Sequence, residues 1–492
     1  MKKISVIIAL LAFLPAFIAG AKVRLPSLMG NGMVLQRETM ANIWGWALPD
    51  KNVAVTVSWD GMRYETVSGK DGAWCVSVRT PGAGGPYTIA IDDGDMVILD
   101  DVLIGEVWLC SGQSNMEMPV KGFDSQPVYG SLQTILEAPS HCRIRLFHTS
   151  RNTSSCPLDD CTGQWQVSSM ESASGFSAAA YYFALHIEKA LGIPVGMIES
   201  DWGATRIEAW MSEEAALSVN PDVMSTNQQN DGSNQVASLY NAMIVPLSGY
   251  TIRGFIWYQG ESNKGFHKTY PANMAAMVSD WRSLWGGGEQ MPFYYVQLAP
   301  FDYDIPMHRF DGQKNGILLP LMVEAQLKAL SLIPNSGMAA TTDTGSATDI
   351  HPARKDVVGQ RLALLALTGT YGMSGIDSSG PVYRAVAFRG GKAFVTMESQ
   401  STLYPIDVPL HGFEIAGEDR VFHPAEAYVV HDGYDFSARQ VEVWSPEVKD
   451  PVAVRYAFRN VTGPVNLTNT IGLPAFPFRT DDWDNVDPVN AE

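Results

Sequence analysis

The feature that most constrains this chain is a change of hydrophobic rhythm. Between residues 104 and 375, short apolar runs at 107–110, 144–147, 195–199, 252–257, 293–298 and 337–341 alternate with stretches of helical spacing. Phe176, Ala179, Ala180, Phe183, Ile187 and Leu191 recur at that spacing, as do Val358, Leu362 and Leu365. Short continuous apolar runs suit strands covered on both faces, and their alternation with amphipathic helices predicts an α/β class. The expected architecture is a doubly wound, mostly parallel central sheet with helices on both sides.

The flanks follow a different rhythm. Segments 42–46, 53–59, 74–78 and 87–91 are short and alternating, and turn clusters such as Ser68-Gly69-Lys70-Asp71-Gly72 separate them. Residues 22–103 therefore predict an antiparallel β-sandwich. Segments 385–388, 393–397, 441–444 and 452–456 repeat the pattern, which makes 376–492 a second all-β domain. Ahead of both, Met1-Lys2-Lys3, the apolar run 4–18 and Ala19-Gly20-Ala21 have the charged start, apolar middle and small-residue end of a secretory signal. Residues 1–21 are expected to be removed, leaving a secreted or periplasmic protein with no membrane span, because the run is shorter than the roughly 20 residues a spanning helix needs.

Composition narrows the function classes. The chain is 46% apolar and 17% charged, far from the signature of disorder. Its formal charge of −18 becomes more negative when Lys2 and Lys3 are lost, and such a field repels nucleic acid and anionic lipid. An anionic sugar would need local Arg or Lys help. The five cysteines, Cys75, Cys110, Cys142, Cys156 and Cys161, are too few and too unevenly spaced for a disulfide scaffold or a zinc site. Cys156 and Cys161 can close a small loop in an oxidising compartment, and Cys110 is expected to be buried packing.

In a doubly wound sheet, ligands bind beyond the carboxyl ends of the strands, so the residues after each run carry the information. After 107–110 comes Ser111-Gly112-Gln113-Ser114-Asn115-Met116. Ser114, in a glycine-containing strand-to-helix turn, is placed either as a nucleophile or as an ordinary helix N-cap. Beyond 195–199, Gly203 in Asp201-Trp202-Gly203-Ala204 allows close backbone approach, so its N–H can meet a developing oxyanion or merely serve a turn. Past 252–257, Gln259 or Asn263 offers a side-chain amide to an oxyanion hole, and Glu261 offers a proton acceptor or a partner for a catalytic base; a polar surface loop is the alternative. Last, Asp349 and His351 stand two apart in a loop before Pro352, which suits a first helical turn. Residues two apart face one side of an extended segment, so Asp349 can orient the imidazole while the ring takes a serine proton. Asp343 competes for that acid role.

These segments, together with 23–27, 33–37, 240–247 and Tyr295-Val296-Gln297-Leu298, resemble the sialate O-acetylesterase family, a branch of the SGNH hydrolases. The resemblance spans most of the chain after the leader. It implies a flavodoxin-like SGNH catalytic domain over 104–375, with Ser114 as nucleophile, His351 as general base, Asp349 as its carboxylate and Gly203 as an oxyanion donor. It also marks Gln259 and Glu261 as functional. Two positions depart from the pattern: Ala204 replaces a second glycine, and Asp349 lies two rather than three residues before His351. The implied reaction is acetyl transfer from an O-acetylated sugar to Ser114 and then to water, with neither metal nor organic cofactor. The oxyanion would be held by the Ser114 and Gly203 N–H groups and the Gln259 amide, and the substrate by Asn115, Trp202 and Arg206, the last toward a sugar carboxylate. Trp46, Trp59, Trp210 and Trp257 are further candidates for stacking on sugar rings. Two rivals stand beside this: an esterase for acetyl-xylan or another polysaccharide, and a non-catalytic glycan-binding protein.

Overall fold

The computed structural model describes residues 23–226, 232–303, 316–433 and 435–484, so the expected leader at 1–21 lies outside the described residues. All six apolar runs of the middle region are strands: β1 (Met96–Gly112), β2 (Ile144–His148), β3 (Val195–Asp201), β4 (Gly254–Tyr258), β5 (Phe293–Val296) and β6 (Ser336–Ala339). They lie side by side in the order β2-β3-β1-β4-β5-β6, every pair parallel. A short antiparallel strand, Trp165–Val167, finishes the β2 edge. With β2 set aside, the order is that of a flavodoxin-like sheet, whose ligand crevice opens where the strand order reverses. Here that reversal lies at the carboxyl ends of β1 and β4.

Helices α1 (Ala178–Leu191) and α4 (Lys355–Gly369) pack together on one face, and α2 (Tyr270–Leu284) and α3 (Leu318–Leu330) pair separately. Side-chain alternation assigns the faces. Trp108 of β1 meets Phe183 of α1 edge-on, whereas Phe255, the register partner of its neighbour Leu109, meets Trp281 of α2. Both faces of the sheet are therefore covered, which is why its strands are buried along their length.

Most N-terminal strands are antiparallel, as expected: Met40–Trp46 pairs with Ala73–Arg79, and Asn52–Val57 pairs with Arg63–Val67 and Gly84–Asp92, but Val34–Gln36 lies parallel to Leu103–Gly105 of β1. Gly84–Asp92 then pairs with the first half of β1, whose second half enters the central sheet. One strand thus runs unbroken through position 103–104, and a single hydrophobic core reaches from Val23 through the central sheet. The C-terminal segment forms two four-stranded sheets, each containing antiparallel pairs, around a core of its own, Val395, Phe413, Val441 and Tyr456 among them.

All five cysteines are free, which corrects the expected Cys156–Cys161 loop. Cys161 packs inward against the core, while Cys156 is exposed beside Ser154. Cys110 is fully buried in β1. Among the described residues no helix is long and apolar enough to cross a membrane.

Candidate active site

β1 ends at Gly112, with φ at 144°, and a Cβ there would lie 2.2 Å from the Tyr258 carbonyl oxygen. Only glycine lets β1 and β4 close to this distance while the chain turns into the short helix Ser114–Glu117. Gln113 anchors the turn. Its backbone N–H donates to Tyr258 O (3.0 Å), and its side-chain Oε1 accepts from the N–H groups of Gly260 and Ser262 (3.3 and 3.1 Å). Ser114 is thereby held over the sheet edge, half-buried, at the wall of a cavity of about 730 Å³.

That cavity is lined by residues from four strand ends: Gln113, Ser114 and Glu117 after β1, Trp202 to Ala204 after β3, Glu261, Ser262 and Lys264 after β4, and Ile350 and His351 after β6. Phe123 and Arg151 complete it. Gly203 sits against the serine, since a Cβ added to it would be 3.2 Å from Ser114 Cβ. Its N–H donates to Glu117 Oε2 at 2.6 Å, so it already serves a carboxyl oxygen beside Ser114. The other Glu117 oxygen pairs with Arg151, whose guanidinium lies 5.3 Å from the Trp202 ring centroid.

His351 is half-buried, with the Phe123 ring edge-on to it at 5.2 Å between centroids. Burial first, and the Lys355 ammonium second, lower its pKa to about 4 against an opposing pull from Asp349. The imidazole is therefore neutral at ordinary pH, the form a base requires. The expected direct contact of Asp349 with the ring is not made. Asp349 Oδ1 accepts from the His351 backbone N–H (2.9 Å) and from Gln126 Nε2 (2.8 Å), while His351 Nδ1 lies 2.8 Å from Gln126 Oε1. Two residues of spacing bend the carboxylate back on its own backbone rather than toward the imidazole. Asp343, the competitor, is held bidentately by Arg361 and lies outside the cavity lining.

Other expected residues have structural partners. Gln259 is fully buried, with Nε2 donating to Thr205 O (3.0 Å) and Asn263 Oδ1 (2.7 Å), so neither amide N–H remains for an oxyanion. Asn115 is buried too, and links Glu261 Oε1 (2.5 Å) to the Ile350 carbonyl (3.0 Å) through Nδ2 while its Oδ1 accepts from Lys355 Nζ (2.7 Å). Glu261 thus braces the Ser114 turn rather than His351, and burial raises its pKa. Arg206 lies over Phe266, outside the lining. Trp202 lines the cavity, whereas Trp210 and Trp257 are core. Trp46 is stacked under Arg24, and Trp59 donates to Arg79 O.

Glu117 was legible as a neighbour of Ser114 three positions on, in the same helical turn. Gln126 and Arg151 come from irregular segments with no periodic signal, and Lys355 would not be picked from sequence as a fully buried cation. Among the described residues no group of His, Cys, Asp or Glu is placed to hold a metal ion.

Residues 104–367, more than half of the chain, match the family described as carbohydrate esterase, sialic acid-specific acetylesterase. The chain belongs to this family. Over 411 residues it is 29% identical to the sialate O-acetylesterase of Homo sapiens, covering 77% of each chain, and 28% identical to that of Mus musculus, covering 75% and 77%. A solved carbohydrate acetylesterase from Xanthomonas citri is 35% identical, with a TM-score of 0.83 over 94% of this chain and all of the other. Membership in this esterase family agrees with a site built at the switch point of the sheet.

Proposed function

We propose that the chain is a serine carbohydrate O-acetylesterase of the SGNH type that removes O-acetyl groups from sialic acid. The observation that carries this reading is that Ser114, neutral His351 and Gly203, whose Cβ position lies 3.2 Å from Ser114 Cβ, line one cavity. His351 Nε2 takes the Ser114 proton as Oγ bonds to the acetyl carbon. The carbonyl oxygen becomes an oxyanion, held by the Ser114 and Gly203 N–H groups once Glu117 Oε2 swings off the Gly203 N–H while its other oxygen stays paired with Arg151. The imidazolium then protonates the leaving sugar oxygen, the C–O bond breaks, and acetyl-Ser114 remains. Water, deprotonated by the same imidazole, releases acetate.

Replacing Ser114→Ala and measuring acetate release from an aryl acetate tests the nucleophile. A loss of about a thousandfold or more is expected; near-normal turnover would exclude Ser114. Lys264 and Arg151 are the cations of the cavity wall and suit a sugar carboxylate. The engagement of Arg151 by Glu117 favours a second reading, a neutral acetylated polysaccharide. Comparing kcat/KM on O-acetylated sialic acid and on acetyl-xylan decides between the two.

A further inference from the structure

We propose that Asp349 acts on the base through Gln126, so that the acid–base unit of this esterase is Ser114, His351, Gln126 and Asp349 in series. The proposal rests on the serine esterase reading above and adds a residue that neither the motif nor the family resemblance singled out.

The chemistry of the three groups orders them. An ionised carboxylate only accepts hydrogen bonds, so Asp349 Oδ1, 2.8 Å from the Gln126 amide, must face its NH₂ group. That turns the Gln126 carbonyl toward His351 Nδ1, 2.8 Å away. A carbonyl also only accepts, so Nδ1 must carry the proton and Nε2 keeps its lone pair for Ser114. Reversing the amide would set carbonyl against carboxylate and lose that bond, and its NH₂ would then favour a bare Nδ1, the tautomer that leaves Nε2 protonated and unable to act as the base. Asp349 therefore selects the reactive tautomer without touching the imidazole.

The loop is built to hold Gln126 there. Phe123 and Gln126 exchange backbone hydrogen bonds, both 3.0 Å, across a two-residue turn, and Gly122 N–H donates to Pro119 O at 2.7 Å. Farther along, the Tyr129 N–H donates to Ala353 O at 2.8 Å, just beyond His351. Phe123 packs on the imidazole edge from the same turn. Gln126 and Phe123 thus grip the ring from one turn, and Asp349 fixes the amide. The arrangement also accounts for the spacing of Asp349 and His351: Asp349 closes a turn on the His351 N–H, and Gln126 bridges the remaining gap.

The test combines kinetics with nitrogen-15 histidine NMR on the full chain. In the parent protein His351 should show the Nδ1–H tautomer. Gln126→Leu and Asp349→Asn should each lower kcat by about a hundredfold or more with little change in KM, and each should lose that tautomer signature. The double variant should be no worse than Gln126→Leu alone, because both act on one path. Gln126→Glu with Asp349→Asn, which reverses carboxylate and amide, should recover activity to within about tenfold of the parent and raise the acid limb of kcat/KM, as a carboxylate now touches the imidazole. The relay is overturned if Gln126→Leu keeps full kcat and the Nδ1–H tautomer, or if the two single losses multiply. Ser114→Ala separates the two ideas: if it stays active the esterase reading falls, whereas an inactive Ser114→Ala beside a fully active Gln126→Leu removes the relay alone.

Discussion

His351 shows how one side chain acquires its chemistry from its surroundings. An imidazole in water titrates near 6.5, and here burial and the Lys355 ammonium bring it to about 4. The base form is the neutral one, so activity should persist on acidification until the folded value is reached. The kcat/KM profile should stay flat through about pH 6 to 5 and fall only near pH 4. Lys355→Met removes the charge and should move that limb upward, toward 6.5; a limb that does not move would leave burial as the whole cause. The stability sign follows. The unfolded chain binds the proton near 6.5 and the native protein only near 4, so unfolding takes up a proton in that window and stability falls as pH drops through it. None of this was legible from His351 and its neighbours in sequence, because the burial of His351 and of Lys355 four positions on, and the meeting with Gln126, are set by the fold.

At the scale of elements, the strand ends were legible and the loops after them only partly so. The six apolar runs became the six central strands because a run buried on both faces has no polar side to alternate. Their ends were less certain. The run at 293–298 stops pairing at Val296 and the one at 337–341 at Ala339, where Gln297 takes over by accepting from the Thr341 N–H and hydroxyl. Pro352 does not open α4, which begins at Lys355 and leaves Pro352 in the His351 loop with its carbonyl bonded to Lys355 Nζ (2.9 Å). In the loop after β3, Ala204 adopts φ of 59°, a left-handed conformation that glycine takes without steric cost. A non-glycine residue pays about 1–2 kcal/mol there, partly offset by the lower chain entropy of alanine in the unfolded state. Ala204→Gly should therefore raise stability by up to about 1 kcal/mol, seen as a Tm rise of about 1–2 °C, with acetate release maintained. A fall in Tm would show that the turn carries no strain.

For the whole molecule, the question is how the C-terminal sheets are held to the catalytic core. Arg479 makes the polar clamp: it donates to Glu324 of α3 through Nε (3.0 Å) and Nη2 (2.8 Å), and to Asp484 through Nη1 (2.6 Å). Phe458 packs with Ile317 and Leu321 alongside, and Phe476 enters the central core. Arg479→Ala should cost about 1–2 kcal/mol, the range of charge-assisted hydrogen bonds with one partner half-exposed, and lower the first transition in scanning calorimetry. An unchanged thermogram would assign the docking to the apolar contacts alone.

By itself the sequence determined the class of the fold and the address of the site, because strand and helix periodicity are local and a doubly wound sheet leaves its carboxyl ends open to ligand. Ser114, Gly203 and His351 could be read in this way, each at its own strand end. Only the tertiary structure decided which polar side chains face the cavity and which brace it. Gln259, Asn115 and Glu261 turned inward because neighbouring buried backbone and side-chain groups needed partners, and Asp343 was claimed by Arg361. Gln126 came to His351 across 225 positions of chain, a meeting set by folding rather than by any local pattern.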